Sequence, residues 1–306
     1  MSALFDLSDR VKLRVSGSDR IRFLNGQVTS DVRKANANLS MPACVLNVKG
    51  KLNGLIFIAG RENDLRLDAD PELRATLAPR LDRYVIADDV TIEDVTEQFA
   101  LFHVTGASPP NVPNDAHWRR AKRFGVPGWD LVVESAEHDR VRQSLSAHFP
   151  LCATDCAERC RIEQGIPRWG RELTDQIIPV EANLEDDAID YAKGCYIGQE
   201  IISRMKMSGQ KNKRLCGLVS LGEEALSPLM RLFAAESGND AGWITSATRS
   251  ESLGKEIALG YVKRGFNDSG TRLSARVVDQ AAAVPVEVVA LPFVAAEAID
   301  PAKSAP

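Results

Sequence analysis

Eight consecutive residues, Lys193-Gly194-Cys195-Tyr196-Ile197-Gly198-Gln199-Glu200, gather a thiol, an ammonium, a carboxylate, an amide and two glycines. Lys and Glu are seldom fully buried, and glycines weaken helices and strands. The run therefore reads as a loop that gives up regularity to hold chemical groups. An ammonium two residues from a thiol favours thiolate, the form that attacks, exchanges disulfides or binds metal. All three uses of Cys195 are open on this pattern. The plainer alternative is an apolar cysteine packed beside Tyr196; the glycine spacing and the charged neighbours weigh against it.

Four further constellations accompany this run. Arg204, Lys206, Lys211, Lys213 and Arg214 form a basic stretch suited to carboxylates or phosphate. Upstream lie Glu181, Glu185, Asp186, Asp187 and Asp190, so the two stretches could instead pair with each other at the surface, which would stabilise little. Arg161-Ile162-Glu163-Gln164-Gly165-Ile166-Pro167 opens a loop-like segment where a carboxylate could receive the N–H groups of a heterocycle, or simply pair with Arg161. Cys152, Cys156 and Cys160 are spaced by four, which places them along one helix face. They are a metal site or three small buried residues, and the second reading is preferred because CxxxCxxxC is not a common zinc spacing. The chain has no phosphate loop, no dinucleotide fingerprint, no HExxH and no GxSxG elbow.

The elements around these groups alternate strand and helix. Val11, Leu13 and Val15 alternate as a strand, and Ser18 is placed to cap a helix carrying Ile21, Leu24 and Val28. Strands over 43–48 and 55–59 form a hairpin candidate across Lys49-Gly50-Lys51. Asp70-Pro71 predicts a helix start leading through Leu73, Leu77 and Leu81. A second strand–helix unit, over 130–134 and 138–149, echoes the one over 64–68 and beyond, which suggests two α+β lobes of split βαβ type. From Leu215 the texture changes to short strands over 217–221, 242–246, 257–262, 275–278 and 284–290, as in a small β-barrel. Residues 1–214 are thus expected as two α+β lobes, 215–294 as the barrel and 295–306 as a disordered Ala/Pro-rich tail.

Composition limits the partners. A net charge of −4 over 306 residues gives no global field for nucleic acid. No apolar run approaches the length needed to span a bilayer, so no membrane partner is expected. With no secretory or transit pattern, the cytoplasm is the expected compartment, or the mitochondrial matrix for a processed organellar protein. The six cysteines are accordingly expected as reduced thiols.

The run Lys193–Glu200 resembles the signature of the YgfZ family, tetrahydrofolate-binding proteins of iron–sulfur cluster assembly and repair. The resemblance extends over about residues 5 to 294. It includes Arg22-Phe23-Leu24-Asn25-Gly26-Gln27-Val28-Thr29-Ser30-Asp31-Val32, Arg161 to Pro167, Pro179-Val180-Glu181-Ala182, Gly242 to Ser246 and Ile257 to Val262. The wider superfamily contains the glycine-cleavage T-protein, an aminomethyltransferase. This kinship implies a GcvT-like ring of three domains, two ferredoxin-like α+β lobes and a C-terminal β-barrel, around a central hole that holds folate. It places the pteridine-binding glutamate on Glu163 and a shared glutamate on Glu181. Asn25, Arg204, Tyr196, Gln199 and Glu200 are further candidates for framing the ligand, and the basic stretch could meet folate's glutamate tail. Cys195 is implied as the essential thiol, with Lys193 favouring its thiolate and contacting the ligand, and Gly194 and Gly198 permitting the turn.

Departures from the T-protein pattern are as informative. Its catalytic Asp-Asp-Leu-Ile reads Asn53-Gly54-Leu55-Ile56 here, its folate-binding Arg falls near Ala192, and its C-terminal Tyr is missing from Pro292-Phe293-Val294-Ala295-Ala296. The resemblance therefore implies an accessory protein that binds tetrahydrofolate, touches an iron–sulfur cluster transiently and meets cluster carriers or client enzymes. The alternatives are a folate-dependent one-carbon transferase and a non-catalytic module that docks on carriers. A single cysteine in the signature offers one ligand where stable clusters usually have four, so a resident metal is not expected there.

Overall fold

The structure, a computed structural model, describes residues 2–113, 116–277 and 282–295. Strand β1 (Leu4–Asp6) departs at once to a sheet whose other strands come much later in the chain. Strands β2 (Val11–Ser16), β3 (Met41–Leu46), β4 (Leu52–Gly60), β5 (Asp64–Ala69) and β6 (Thr91–Asp94) form a five-stranded antiparallel sheet in the order β3-β4-β5-β2-β6. The alternation of β2 does what its period of two requires: Val11, Leu13 and Val15 are buried against Leu24 of helix α1 (Arg20–Gln27) and Leu81 of helix α2 (Leu77–Asp82). The helix expected from Asp70 is broken into a 3-10 turn at Pro71–Leu73 followed by α2. Asp70 does not cap it, because its carboxylate is taken by Arg10 and by the Trp169 N–H at 2.9 Å.

The second lobe is a four-stranded sheet in the order β1-β7-β9-β8, with β7 (Phe99–Thr105), β8 (Arg119–Ala121) and β9 (Gly128–Glu134). Helix α3 (His138–Ser146) buries Val141 and Leu145 on it. Sequence reading placed no strand at β1, which is only three residues long and pairs with residues about a hundred positions away. Helix α4 (Thr154–Glu163) then leads out of the lobe, followed by the one-turn α5 (Glu185–Ala188) and α6 (Gln199–Ser208). The basic stretch had not been read as helical, yet its first part is α6.

The barrel closes in the order β10-β13-β12-β11-β14-β15, from β10 (Lys213–Ser220), β11 (Arg231–Ala234), β12 (Asp240–Ser250), β13 (Lys255–Lys263), β14 (Arg272–Arg276) and β15 (Ala283–Val289). Five of these strands were expected; the missing one is β11, four residues with little alternation. The expected tail lies outside the described residues apart from Ala295. Among the described residues, no helix is long and apolar enough to cross a membrane.

The three parts are welded by shared core and buried charge. One apolar cluster runs from Cys44 and Leu52 of the first lobe through Ile162 of α4 and Ile202 of α6 to Leu259 and Tyr261 of the barrel. Arg123 bridges the lobes, giving two hydrogen bonds to Asp68 of β5 and two to Asp130 of β9, all at 2.7–2.9 Å. Ion pairing also ties β1 to α3, where His138 Nε2 lies 2.8 Å from Asp6. Burial opposes the imidazolium, but Asp6 and Asp139 overcome it, so the His138 pKa is raised. A raised cation pKa stabilises the fold below the unfolded value near 6.5, and that contribution is lost as pH rises through the folded value. Denaturation of the wild type is therefore expected to show a loss of stability as pH rises above about 6.5 that His138→Gln lacks; parallel pH profiles for the two would contradict the pairing.

Candidate functional site: a three-domain cavity and an external thiol loop

A cavity of about 550 Å³ opens where the three domains meet. The first lobe supplies Pro42, Leu55 and Phe57; the second supplies Lys122, Arg123 and Gly125; the barrel supplies Arg214, Leu215, Cys216 and the turn Asn267-Asp268-Ser269. The connecting chain adds Gln164 to Pro167 and Ala182 to Leu184, with Asp187 and Ala188. The walls are apolar where Leu55, Phe57, Ile166 and Leu291 face it, and polar groups converge at a few points, the usual make-up of a pocket for a flat organic ligand. Gln164 is buried, with its amide donating to Val294 O at 3.2 Å. Asn183 sits in the left-handed region at φ 59° and binds Arg214 Nε through its side-chain oxygen at 2.6 Å. Arg214 is exposed beside the cavity, while Lys122 faces Asp187 at 3.2 Å.

The thiol loop lies elsewhere. Cys195 is exposed and is not among the cavity-lining residues. Of the four free cysteines it alone is exposed; burial pushes the Cys44 thiol up to about 12 and those of Cys160 and Cys216 to about 11. Gly198 has φ +84°, and a Cβ there would lie 2.7 Å from Asn47 O and 3.1 Å from Gly50 Cα of the β3–β4 turn. Glycine is thus required for α6 to start against that turn. Gly194 has open space around it and no positive φ, so the turn does not depend on it. Tyr196 is buried in the shared core, and its hydroxyl pKa is raised by burial first and by Tyr191 next. Gln199 and Glu200 form the first turn of α6, where Glu200 pairs with Arg204 at 2.6 Å in the open.

Lys193 is placed differently from its expected role. It is buried, and its ammonium donates to three backbone carbonyls, Asn25 at 2.7 Å, Val28 at 2.6 Å and Ser30 at 2.7 Å. These carbonyls belong to the end of α1 and the turn after it, where helix carbonyls lack intrahelical partners and a cation is favoured. Burial pushes its pKa down to about 8, against Asp31 and Asp190, so it stays cationic at neutral pH. With its donors on carbonyls, Lys193 fastens the loop to α1 instead of reaching for a ligand. Asn25 shares this role: its side chain accepts from Val32 N at 3.0 Å.

Both glutamates singled out for pterin binding also turn away from the cavity. Glu163 is buried and accepts from Ser250 Oγ of β12, fixing α4 to the barrel. Glu181 caps its own turn by accepting from Ile178 N at 3.1 Å and pairs with Lys213 at 3.0 Å. Neither lines the cavity. The basic stretch largely meets its acidic counterpart, with Lys211 on Glu185 and Lys213 on Glu181, and only Arg214 reaches the cavity wall. The cavity wall takes Gln164, one position on from the Glu163 that the sequence singled out. Glu163 ends α4 and Gln164 is its cap, so the two side chains diverge by about 100°. Gly165, at φ +69° beside Gln164, is the local signal that the chain turns inward there.

This arrangement, two α+β lobes and a six-stranded barrel that share a cavity, is the fold of the GcvT-like superfamily. Residues 213–295 match the glycine cleavage T-protein C-terminal barrel domain. The chain superposes on the glycine cleavage system aminomethyltransferase T of Bartonella henselae with a TM-score of 0.84 at 18% identity, covering 96% of this chain and 86% of that one. It is 25% identical to an aminomethyltransferase of Streptomyces avermitilis, over 95% of this chain and 86% of that protein. It is also 26% identical to a putative chloroplastic transferase of Arabidopsis thaliana, over 85% and 65% of the two chains.

Proposed function

We propose that this protein binds tetrahydrofolate in the three-domain cavity and serves iron–sulfur cluster assembly or repair through Cys195, as a YgfZ-type protein and not as an aminomethyltransferase. The observation that carries this reading is the division of labour between the cavity and the thiol loop. The cavity is large enough for a pterin between Leu55, Phe57 and Ile166, and the side-chain oxygen of Gln164, whose NH2 is held by Val294 O, is placed to accept from a heterocycle edge. Arg214 and Lys122 would meet the carboxylates of the tail. Folate bound there would supply one-carbon or electron-rich pterin chemistry; the chain itself contributes shape, amide recognition and countercharge.

The T-protein's carboxylate position argues against aminomethyl transfer. Asn53 binds Arg80 Nε at 3.2 Å, and a Cβ on Gly54 would come within 3.1 Å of Leu73. Neither residue lines the cavity, and the carboxylates that do, Asp187 and Asp268, lie on other elements. An exposed thiol on a loop pinned by Lys193 and Gly198 suits brief contact with a cluster held by a carrier or client protein, the cluster being cargo. Complementation tests this reading. In a strain lacking the protein, the wild type is expected to restore iron–sulfur enzyme activity and Cys195→Ala to restore little. Full rescue by Cys195→Ala, or turnover of tetrahydrofolate to its methylene form from an amine donor by the purified protein, would overturn it.

A further inference from the structure

Away from the cavity and from the Cys195 loop, three sulfurs converge. Those of Cys152, Cys156 and Cys160 all lie within 4.8 Å of one another. Spacing alone does not give this: on one straight helix the first and third would stand about 12 Å apart along the axis. They meet because Cys152 precedes α4 and is pinned to the second lobe, its N–H bonded to Leu4 O at 2.8 Å. Cys156 and Cys160 come from successive turns of α4. Cys152 and Cys156 are joined as a disulfide, which corrects the expectation of six reduced thiols. Cys160 is left free beside the bond.

The surroundings are those of a closed sulfur pocket. The three cysteines are 6%, 6% and 5% exposed and pack with Ala3, Val126 and the stacked pair Phe5–Phe124, whose ring centroids are 4.0 Å apart. Residues 153–155 beside them are exposed, so the cluster lies just beneath the surface. Disulfide-bonded, the cluster offers a single thiol. Reduced, it offers three thiolate donors already held together, the ligand type that selects thiophilic d10 ions.

We propose that Cys152, Cys156 and Cys160 form a redox-gated site for one thiophilic d10 metal ion such as Zn²⁺. A dithiol reductant opens the site: it forms its own disulfide and delivers two electrons and two protons, and the Cys152–Cys156 bond becomes two thiols. A divalent ion then forms three metal–sulfur bonds and releases three protons, leaving one position of a tetrahedral shell for solvent or an incoming donor. Oxidation by any two-electron acceptor of the disulfide class reverses the sequence and expels the ion. Because the site joins β1, the 124–126 turn and α4, its state also sets how firmly the second lobe holds the helix that reaches the barrel. Ion uptake at this site requires neither folate nor Cys195.

The test uses the full chain carrying Cys195→Ser, so that the exposed thiol takes no metal. Reduced with a non-coordinating phosphine and titrated with Zn²⁺ or Cd²⁺ under native mass spectrometry, it is expected to hold about one ion per chain. The same protein with its disulfide intact is expected to hold less than about a tenth of that, and this comparison involves no further mutation that could unfold the site. Cys160→Ser in the reduced protein is expected to weaken binding about tenfold or more. Absence of uptake by the reduced protein, equal uptake by the oxidised one, or unchanged affinity in Cys160→Ser would overturn the proposal.

Discussion

Arg123→Met is expected to destabilise the protein by about 3–5 kcal/mol, the loss typical of removing one partner from a buried ion pair. Asp68 and Asp130 would be left with only Arg10 and His103 beside them. Methionine fills much of the volume but returns no donor, so the cost is that of two under-compensated carboxylates and not of a cavity. The acid dependence identifies the cause. Burial opposes the charge on Asp130, yet Arg123 and His103 hold its pKa well below the usual carboxylate range. A depressed carboxyl pKa stabilises the fold above the unfolded value, and that contribution is lost as pH falls through the folded value. In the variant the carboxyls accept protons at higher pH and then need no countercharge. The gap between wild type and variant in urea denaturation should therefore be widest near neutral pH and narrow towards pH 4. A gap under about 1 kcal/mol at pH 7, or one that widens in acid, would show that Arg123 does not weld the lobes.

The second large effect falls on Lys193. Lys193→Met is expected to cost about 2 kcal/mol or more, since three carbonyls lose a charged donor in a buried setting. The same substitution should abolish iron–sulfur enzyme restoration as severely as Cys195→Ala, because the loop that presents the thiol is released from α1. Tetrahydrofolate affinity should stay within about twofold of wild type, since Lys193 lies outside the cavity. This pairing separates a positioning residue from a ligand contact. If Lys193→Met loses folate binding while keeping its stability, Lys193 contacts the ligand after all.

How far the chain could be read before its structure depended on the range of each interaction. The β2 alternation, the β3–β4 hairpin and most barrel strands were legible because periodicity and turn residues are local signals. Strand β1 was not, since three residues carry no period and its partner β7 is distant in sequence. The special character of Lys193–Glu200 was legible from glycines and charges side by side, but the direction of each side chain was not. Lys193 points at α1 and Glu163 at Ser250 because of tertiary neighbours that no spacing announces. Gly198 was flagged for a turn, and its true constraint, contact with Asn47 and Gly50, couples two segments far apart in the chain. The cysteine trio was read as one helix face; the start of α4 after Cys152 changed a line of sulfurs into a cluster.

Calorimetric titration with tetrahydrofolate tests the central claim, that the folate site is the cavity and the thiol is separate from it. Saturable binding is expected in the wild type, with Gln164→Leu and Arg214→Glu each weakening it about tenfold, equivalent to ~1.4 kcal/mol. Glu163→Gln and Cys195→Ser are expected to bind as the wild type does. Wild-type protein that binds no tetrahydrofolate, or a binding isotherm that collapses in Glu163→Gln or Cys195→Ser while Gln164→Leu and Arg214→Glu leave it intact, would contradict the account.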